Sequence, residues 1–286
     1  YEEQRQNRRF NTEVTPLHVS ADAGNILLYE AIHKLAQNKE PRTEDGFAPV
    51  VYAMNKGHVK MTEFIMQGIT DKNPMYKNGF TALHGVAKYG HVEVCETIMK
   101  HLKDKNPKCK YGDITPLHLA AAYGQFRVCE LITEQIEEKN PRDVDGWLEK
   151  IEEKNPRDHD GWTPLHTSAQ SGNFAVCEAI VNRLSEVTPE DEHGTKVIDV
   201  NPSLDDGSTP LFLAAENGHT DICKLLLGKT NDCNPGRADG VTPLHKAVEK
   251  GHQEIAHLIL NKVDTKNPKD NTGSTPLHLA AEHGWF

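Results

Sequence analysis

Apolar residues occur along this chain in short blocks at helical spacing, each closed by polar, turn-forming residues. In one block, Leu117-His118-Leu119-Ala120-Ala121-Ala122 follows Thr115-Pro116 and stops at Gly124. Thr is a good N-cap because its hydroxyl accepts an orphan amide, and Pro suits the first helical position. Gly then ends the helix. A second apolar stretch, Phe126-Arg127-Val128-Cys129-Glu130-Leu131-Ile132, starts at once and predicts a second helix. Turn-rich segments such as Lys154-Asn155-Pro156-Arg157-Asp158-His159-Asp160-Gly161 return the chain to the next Thr-Pro.

This unit recurs. Thr-Pro-Leu-His stands at Thr15–His18, Thr115–His118, Thr163–His166, Thr242–His245 and Thr275–His278. Near copies begin at Ala48, Thr81 and Thr209, and successive starts lie 33, 33, 34, 48, 46, 33 and 33 residues apart. Seven of the 16 prolines sit in this tetrapeptide and seven follow Asn, as in Asn73-Pro74 and Asn267-Pro268. Two short helices cannot bury their apolar faces alone. Stacked on neighbouring pairs, they share one elongated core.

With eight unit starts in register over about residues 11–286, the chain resembles an ankyrin-repeat array. The resemblance implies an all-α solenoid of stacked helix-turn-helix units with hairpin arms, about seven full units and a truncated eighth. Residues 1–10 read as a lead-in. The first two units match least well, with Glu13 in place of the turn glycine and Ala48 in place of the capping Thr. Asn-Pro stands where many members have Asn-Ala, and should stiffen the hairpin arm. The chain stops at Gly284-Trp285-Phe286, where another helix should begin, so it is expected to be a stretch of a longer polypeptide.

Two intervals are long. Ile136–Trp147 recurs as Ile151–Trp162 with one change, Val144 against His159, which is a tandem duplication of a hairpin arm. The copy leading into Thr163 is expected to stack, leaving residues of about 139–150 as a loop or an extension of the preceding helix. Residues 185–197 are polar and acidic without periodicity, and read as an exposed loop.

Charge and composition narrow the chemistry. With 32 basic against 42 acidic residues the formal charge is -10, which disfavours nucleic acid as a partner. No apolar run approaches the roughly 18 residues of a membrane span, and the start lacks the pattern of a signal peptide. Ten of the 16 histidines occupy repeat positions: His18, His84, His118, His166, His245 and His278 close the tetrapeptide, and His58, His91, His219 and His252 follow a glycine. The resemblance gives the first set a structural role. Stacked helices about 8–10 Å apart cannot bring equivalent histidines onto one metal, so neither metal nor cofactor is expected. Cys95, Cys129, Cys177 and Cys223 each lie 14 residues after their unit's Thr and read as small core fillers, whereas Cys109 and Cys233 read as exposed thiols. Six unpaired cysteines point to a reducing compartment, cytoplasm or nucleus. Phosphate-loop, nucleophile-elbow, zinc-protease and dithiol motifs are absent, so no catalysis is expected.

What remains is recognition. The resemblance implies a non-catalytic module that binds a protein or peptide segment along the concave face of hairpin tips and first helices. Carried over position by position, the tips offer Phe80, Ile114, Trp162, Ser208 and Val241, with Phe47 and Ser274 in equivalent places. The helix ends offer Lys88, Tyr89, Tyr123, Gln170, Ser171, Glu216, Asn217, Glu249 and Lys250. Phe80, Tyr89, Tyr123 and Trp162 form a central aromatic group suited to anchoring a partner. The fourth unit carries an extra residue ahead of Ile114. The alternative is a regulatory or scaffolding segment of a larger multidomain protein, such as a channel, kinase or ligase adaptor. A mechanical spacer is a third reading. The acidic charge favours a monomeric array.

Overall fold

A computed structural model describes residues 14–137, 155–187 and 200–284. Among these residues the chain forms 15 helices and no strands. Contacts divide it into two compact units, residues 1–111 and 112–286.

The first unit holds three helix pairs: α1 (Pro16–Asp22) with α2 (Ile26–Leu35), α3 (Pro49–Asn55) with α4 (Val59–Gly68), and α5 (Ala82–Tyr89) with α6 (Val92–Met99). Its first helices stack in order, α1 on α3 on α5, and α4 packs on α6. The second unit continues the plan. Its first helices are α7 (Pro116–Ala122), α9 (Pro164–Ser171), α11 (Pro210–Asn217), α13 (Pro243–Glu249) and α15 (Pro276–His283), each stacked on the next. Its second helices, α8 (Phe126–Glu137), α10 (Phe174–Val187), α12 (Thr220–Leu227) and α14 (Gln253–Leu260), form a parallel row.

The tetrapeptide sets each helix start. Thr in extended conformation caps the first turn, and Pro supplies the helical φ without wasting an amide. Leu83, Leu117, Leu165, Leu211 and Leu244 are fully buried, filling one repeated core position. The four cysteines of the second-helix position are buried beside them. The histidine does two things. At Thr115, the backbone N–H donates to His118 Nδ1 at 3.2 Å and the hydroxyl joins the same nitrogen at 2.9 Å. A backbone N–H can only donate, so Nδ1 accepts and the proton lies on Nε2. That nitrogen then donates to the Trp162 carbonyl of the next arm at 2.9 Å. His18 to Phe47 at 3.0 Å and His245 to Ser274 at 3.3 Å repeat the arrangement.

The Asn-Pro pair has a role beyond stiffening. The Oδ1 atoms of Asn73, Asn155, Asn201 and Asn234 accept the N–H of the tetrapeptide Leu ten residues on, at 2.8–3.1 Å. Each satisfies a second orphan amide of the first turn. Where a lysine precedes the asparagine it works at the opposite pole: Lys72 Nζ donates to the carbonyls of Met66 and Ile69, and Lys266 to those of Leu260 and Val263. A cation there also suits the helix dipole. Lys-Asn-Pro therefore closes one helix and opens the next.

Departures from the repeat have local causes. Ala48 offers no side-chain cap, consistent with the poor match of that unit. The hairpin arm of residues 155–162 folds normally, with Asp158 N–H donating to the Trp162 carbonyl and Asn155 capping Leu165. The other copy, residues 139–150, lies outside the described residues. Helix α10 continues through Val187, so the expected loop from 185 begins as helix, and its part from 188 to 197 is likewise outside the described residues.

Two tests follow from this framework. Asn234→Ala removes a cap that accepts a buried amide and should lower stability by about 1 kcal/mol in urea denaturation, as capping losses do. His18, His166 and His245 all titrate below the usual histidine value of 6.5, chiefly through burial, and His166 is brought to about 4. The folded chain thus refuses protons that the unfolded chain accepts near 6.5. Their contribution is intact above that value and is lost as pH falls towards the folded-state values. The urea midpoint should drop between about pH 7 and about pH 5; a flat midpoint there would contradict the buried neutral rings.

Candidate interaction surface

The expected contact residues fall in both units. Phe80, Lys88 and Tyr89 belong to the first, and Ile114, Tyr123 and Trp162 with all later members to the second. The expected aromatic group is therefore two pairs. The aromatics also differ in setting. Tyr89 and Tyr123 end their first helices and are 52% and 54% exposed. Phe80 and Trp162, at the arm tips, are half-buried and pack on the rings of His84 and His166 at centroid distances of 5.3 and 6.0 Å. Lys88 lies 5.7 Å from the Tyr89 ring centre, a favourable cation–aromatic contact.

In the second unit, register places equivalent positions on one side of the stacked first helices. Ile114 keeps its place before Thr115 because Gly112 (φ 87°) and Asp113 (φ 55°) absorb the extra residue in left-handed conformations. Ile114 and Val241 are half-buried, while Gln170, Ser171, Asn217 and Lys250 are exposed. Ser208 does not present its side chain. It is 4% exposed, and its hydroxyl donates to Asp206 Oδ2 at 2.9 Å.

Glu216 and Glu249 are half-buried and share Lys246, at 3.5 and 3.0 Å, and Lys250 adds a 3.3 Å contact to Glu249. Burial alone would raise the Glu249 carboxyl, but the two ammonium groups hold it below the usual glutamate value. Single exposed pairs contribute little. Here Lys246 is the shared centre of a network, with its side chain only 20% exposed. Sequence reasoning passed over Lys246. It occupies the position after the tetrapeptide, filled elsewhere by Leu119, Thr167, Leu213 and Leu279, and a charge at this apolar-rich position was the available signal.

The four histidines that follow a glycine serve the stack. His58, His91, His219 and His252 each place Nε2 2.8–3.2 Å from a carbonyl at the end of the preceding first helix. The neighbouring glycine makes room. A Cβ on Gly172 (φ 76°) would stand 2.6 Å from the His219 ring, so both conformation and space require glycine there. Among the described residues, no group of three or more His, Cys, Asp or Glu side chains converges as a metal site requires, and no helix is long and apolar enough to cross a membrane.

One expectation about the thiols fails. Cys109 is 3% exposed, with Sγ 2.6 Å from the Tyr111 carbonyl, because its arm folds back over it. Cys233 is partly exposed. The second-helix thiols are stabilised in neutral form by burial, Cys95, Cys177 and Cys223 being pushed up to about 12.

Stacked pairs of short helices joined by hairpin arms define a helical repeat protein. The family model for ankyrin repeats (3 copies) matches residues 67–143, 141–237, 195–270 and 229–285, and the chain belongs to the ankyrin-repeat family. No curated protein matches the chain. Ankyrin repeats generally serve as protein–protein interaction modules and are typically non-catalytic.

Thiol labelling tests the surface assignment. Of the six cysteines, only Cys233 should react promptly with an aromatic disulfide reagent in the native protein, since thiolate character and access control the rate. Fast reaction of two or more would contradict the burial described for the others.

Proposed function

We propose that this chain is a non-catalytic recognition module, and that the second unit engages an extended protein segment along its hairpin tips and first helices. The observation that carries the reading is Tyr123, a residue 54% exposed on a helix end fixed by the cap and core below it. A large amphipathic side chain held by a rigid framework loses little conformational freedom on binding. Ile114 and Trp162 extend the apolar part. Gln170, Ser171, Glu216, Asn217, Glu249 and Lys250 supply a polar and charged part, and Lys246 joins it through the network around Glu216 and Glu249. The partner is accordingly a segment with an apolar anchor beside polar or charged residues. In the first unit, Phe80, Lys88 and Tyr89 offer a smaller surface of the same type.

The double variant Tyr123→Ala/Trp162→Ala tests this. Proteins captured from a lysate of the source by the wild-type chain should be depleted at least tenfold with the variant, as anchor losses of roughly 2 kcal/mol or more imply. The helical circular dichroism should be unchanged. Equal capture by both proteins would remove this face from the account.

A further inference from the structure

Three kinds of tie recur between neighbouring helix pairs, with Val51 and Phe212 replacing the histidine of the second kind at their junctions, and among the described residues one junction lacks two of the three. The first tie joins neighbouring hairpin arms through backbone: Lys77 to Asp45 at 2.9 Å in the first unit, and His159 to Gly112, Ala238 to Asp206 and Asn271 to Asp239 at 2.9–3.0 Å in the second. The second is the tetrapeptide histidine reaching the next tip carbonyl. The third is the histidine or asparagine after the glycine reaching back, as Asn173 Nδ2 reaches the Ala121 carbonyl at 2.8 Å.

Between the pair α9–α10 and the pair α11–α12 the first two are missing. The Asp205 N–H makes no bond to the Asp160 carbonyl, which is the equivalent arm-to-arm pair. His166 is fully buried, yet its Nε2 has no hydrogen-bond partner. The carbonyls of Pro202 and Ser208 face that ring closely enough to favour its protonated form, but neither completes a well-formed hydrogen bond with Nε2. The arms also stand further apart. A Cβ on Gly161 would meet nothing nearer than 3.7 Å, whereas on Gly207 or Gly240 it would meet backbone of the following arm at 2.8 or 2.9 Å. Among the described residues, His219 Nε2 still meets the Gln170 carbonyl at 3.0 Å, and an exposed bridge runs from Arg157 to the Ser203 carbonyl at 3.1 Å.

The following junction is different. Phe212 stands where the histidine belongs and cannot reach the Val241 carbonyl, but Arg237 covers its ring at 5.1 Å and pairs with Asp206 at 3.3 Å. The backbone tie from Ala238 is intact there. One lost tie has been replaced, and the arms remain close.

We propose that the junction between residues 163–187 and residues 209–227 is the joint of the second unit, the place at which the stack opens under load or on partner binding. In a linear array each helix pair is held by its neighbours alone, so the junction with the fewest ties separates first. A buried donor without a partner adds to the cost of keeping it closed. Opening admits water to His166 and to the Ser208 carbonyl. The joint also divides the proposed contact face: Ile114, Tyr123, Trp162, Gln170 and Ser171 lie before it, and Glu216, Lys246 and Glu249 after it. A partner spanning both parts selects the angle between them. That consequence rests on the reading given above, whereas the joint itself does not.

Hydrogen exchange by mass spectrometry, on the full chain across a urea series, tests the joint without any partner. Residues 112–187 and 209–284 should exchange as two cooperative blocks with different urea dependence, bounded between 187 and 209. Arg157→Ala removes the exposed bridge and should raise joint opening roughly fivefold, the effect of one hydrogen bond. Asn271→Ala, which removes a side-chain bond at a fully tied junction, should leave the boundary where it is. A single cooperative block, or a boundary at another junction, would overturn the proposal.

Discussion

The structure depends on satisfying the first-turn amides of helices that are only seven or eight residues long. Such helices are unstable alone, because nucleation is costly and few internal hydrogen bonds offset it. Each of their exposed amides would be a liability at the buried end of a stack. Thr, His and the Asn of Asn-Pro divide the task. The threonine oxygen and the asparagine amide oxygen accept helix amides, while the histidine accepts the threonine amide. Accepting on Nδ1 puts the ring proton on Nε2, and from there it binds the next arm. The local cap and the link between units are therefore one interaction, made by one tautomer. A charged ring would place a proton against the threonine amide and lose the cap.

This coupling explains which features were legible in the sequence. Thr-Pro-Leu-His, the helix-ending glycine and the cysteine 14 residues on each mark a position set by the unit itself, so their period reveals the fold. The asparagine was legible as a residue but not as a cap. Its target amide lies ten residues away, across an arm whose geometry the sequence does not display. Cys109 was misread for a related reason: an arm position is exposed or covered according to how that arm folds.

The contact face was less legible, because it depends on neighbours. Phe80 and Trp162 share a tip position and pack on the histidine below, whereas Tyr89 and Tyr123 share a helix-end position and stay exposed. Position in the repeat decides this more than residue type. Ser208 occupies the Trp162 position, but it is small and reaches back to Asp206. Lys246 shows the converse. Its role comes from Glu216 of the preceding first helix and Glu249 one turn along its own.

A repeat can be read as a template, and its exceptions locate where the template has been relaxed. Phe212 is an exception with compensation, since Arg237 restores a contact at the same place. His166 is the opposite case: the sequence is regular, Thr163-Pro164-Leu165-His166, and the tie is nevertheless unmade. The facing arm is not drawn in by backbone pairing, since the Asp205 N–H does not meet the Asp160 carbonyl. A tie between units needs a donor on one unit and an acceptor brought to it by the next. Motif matching finds only the first, and so the regular histidine marks the joint while the irregular phenylalanine does not.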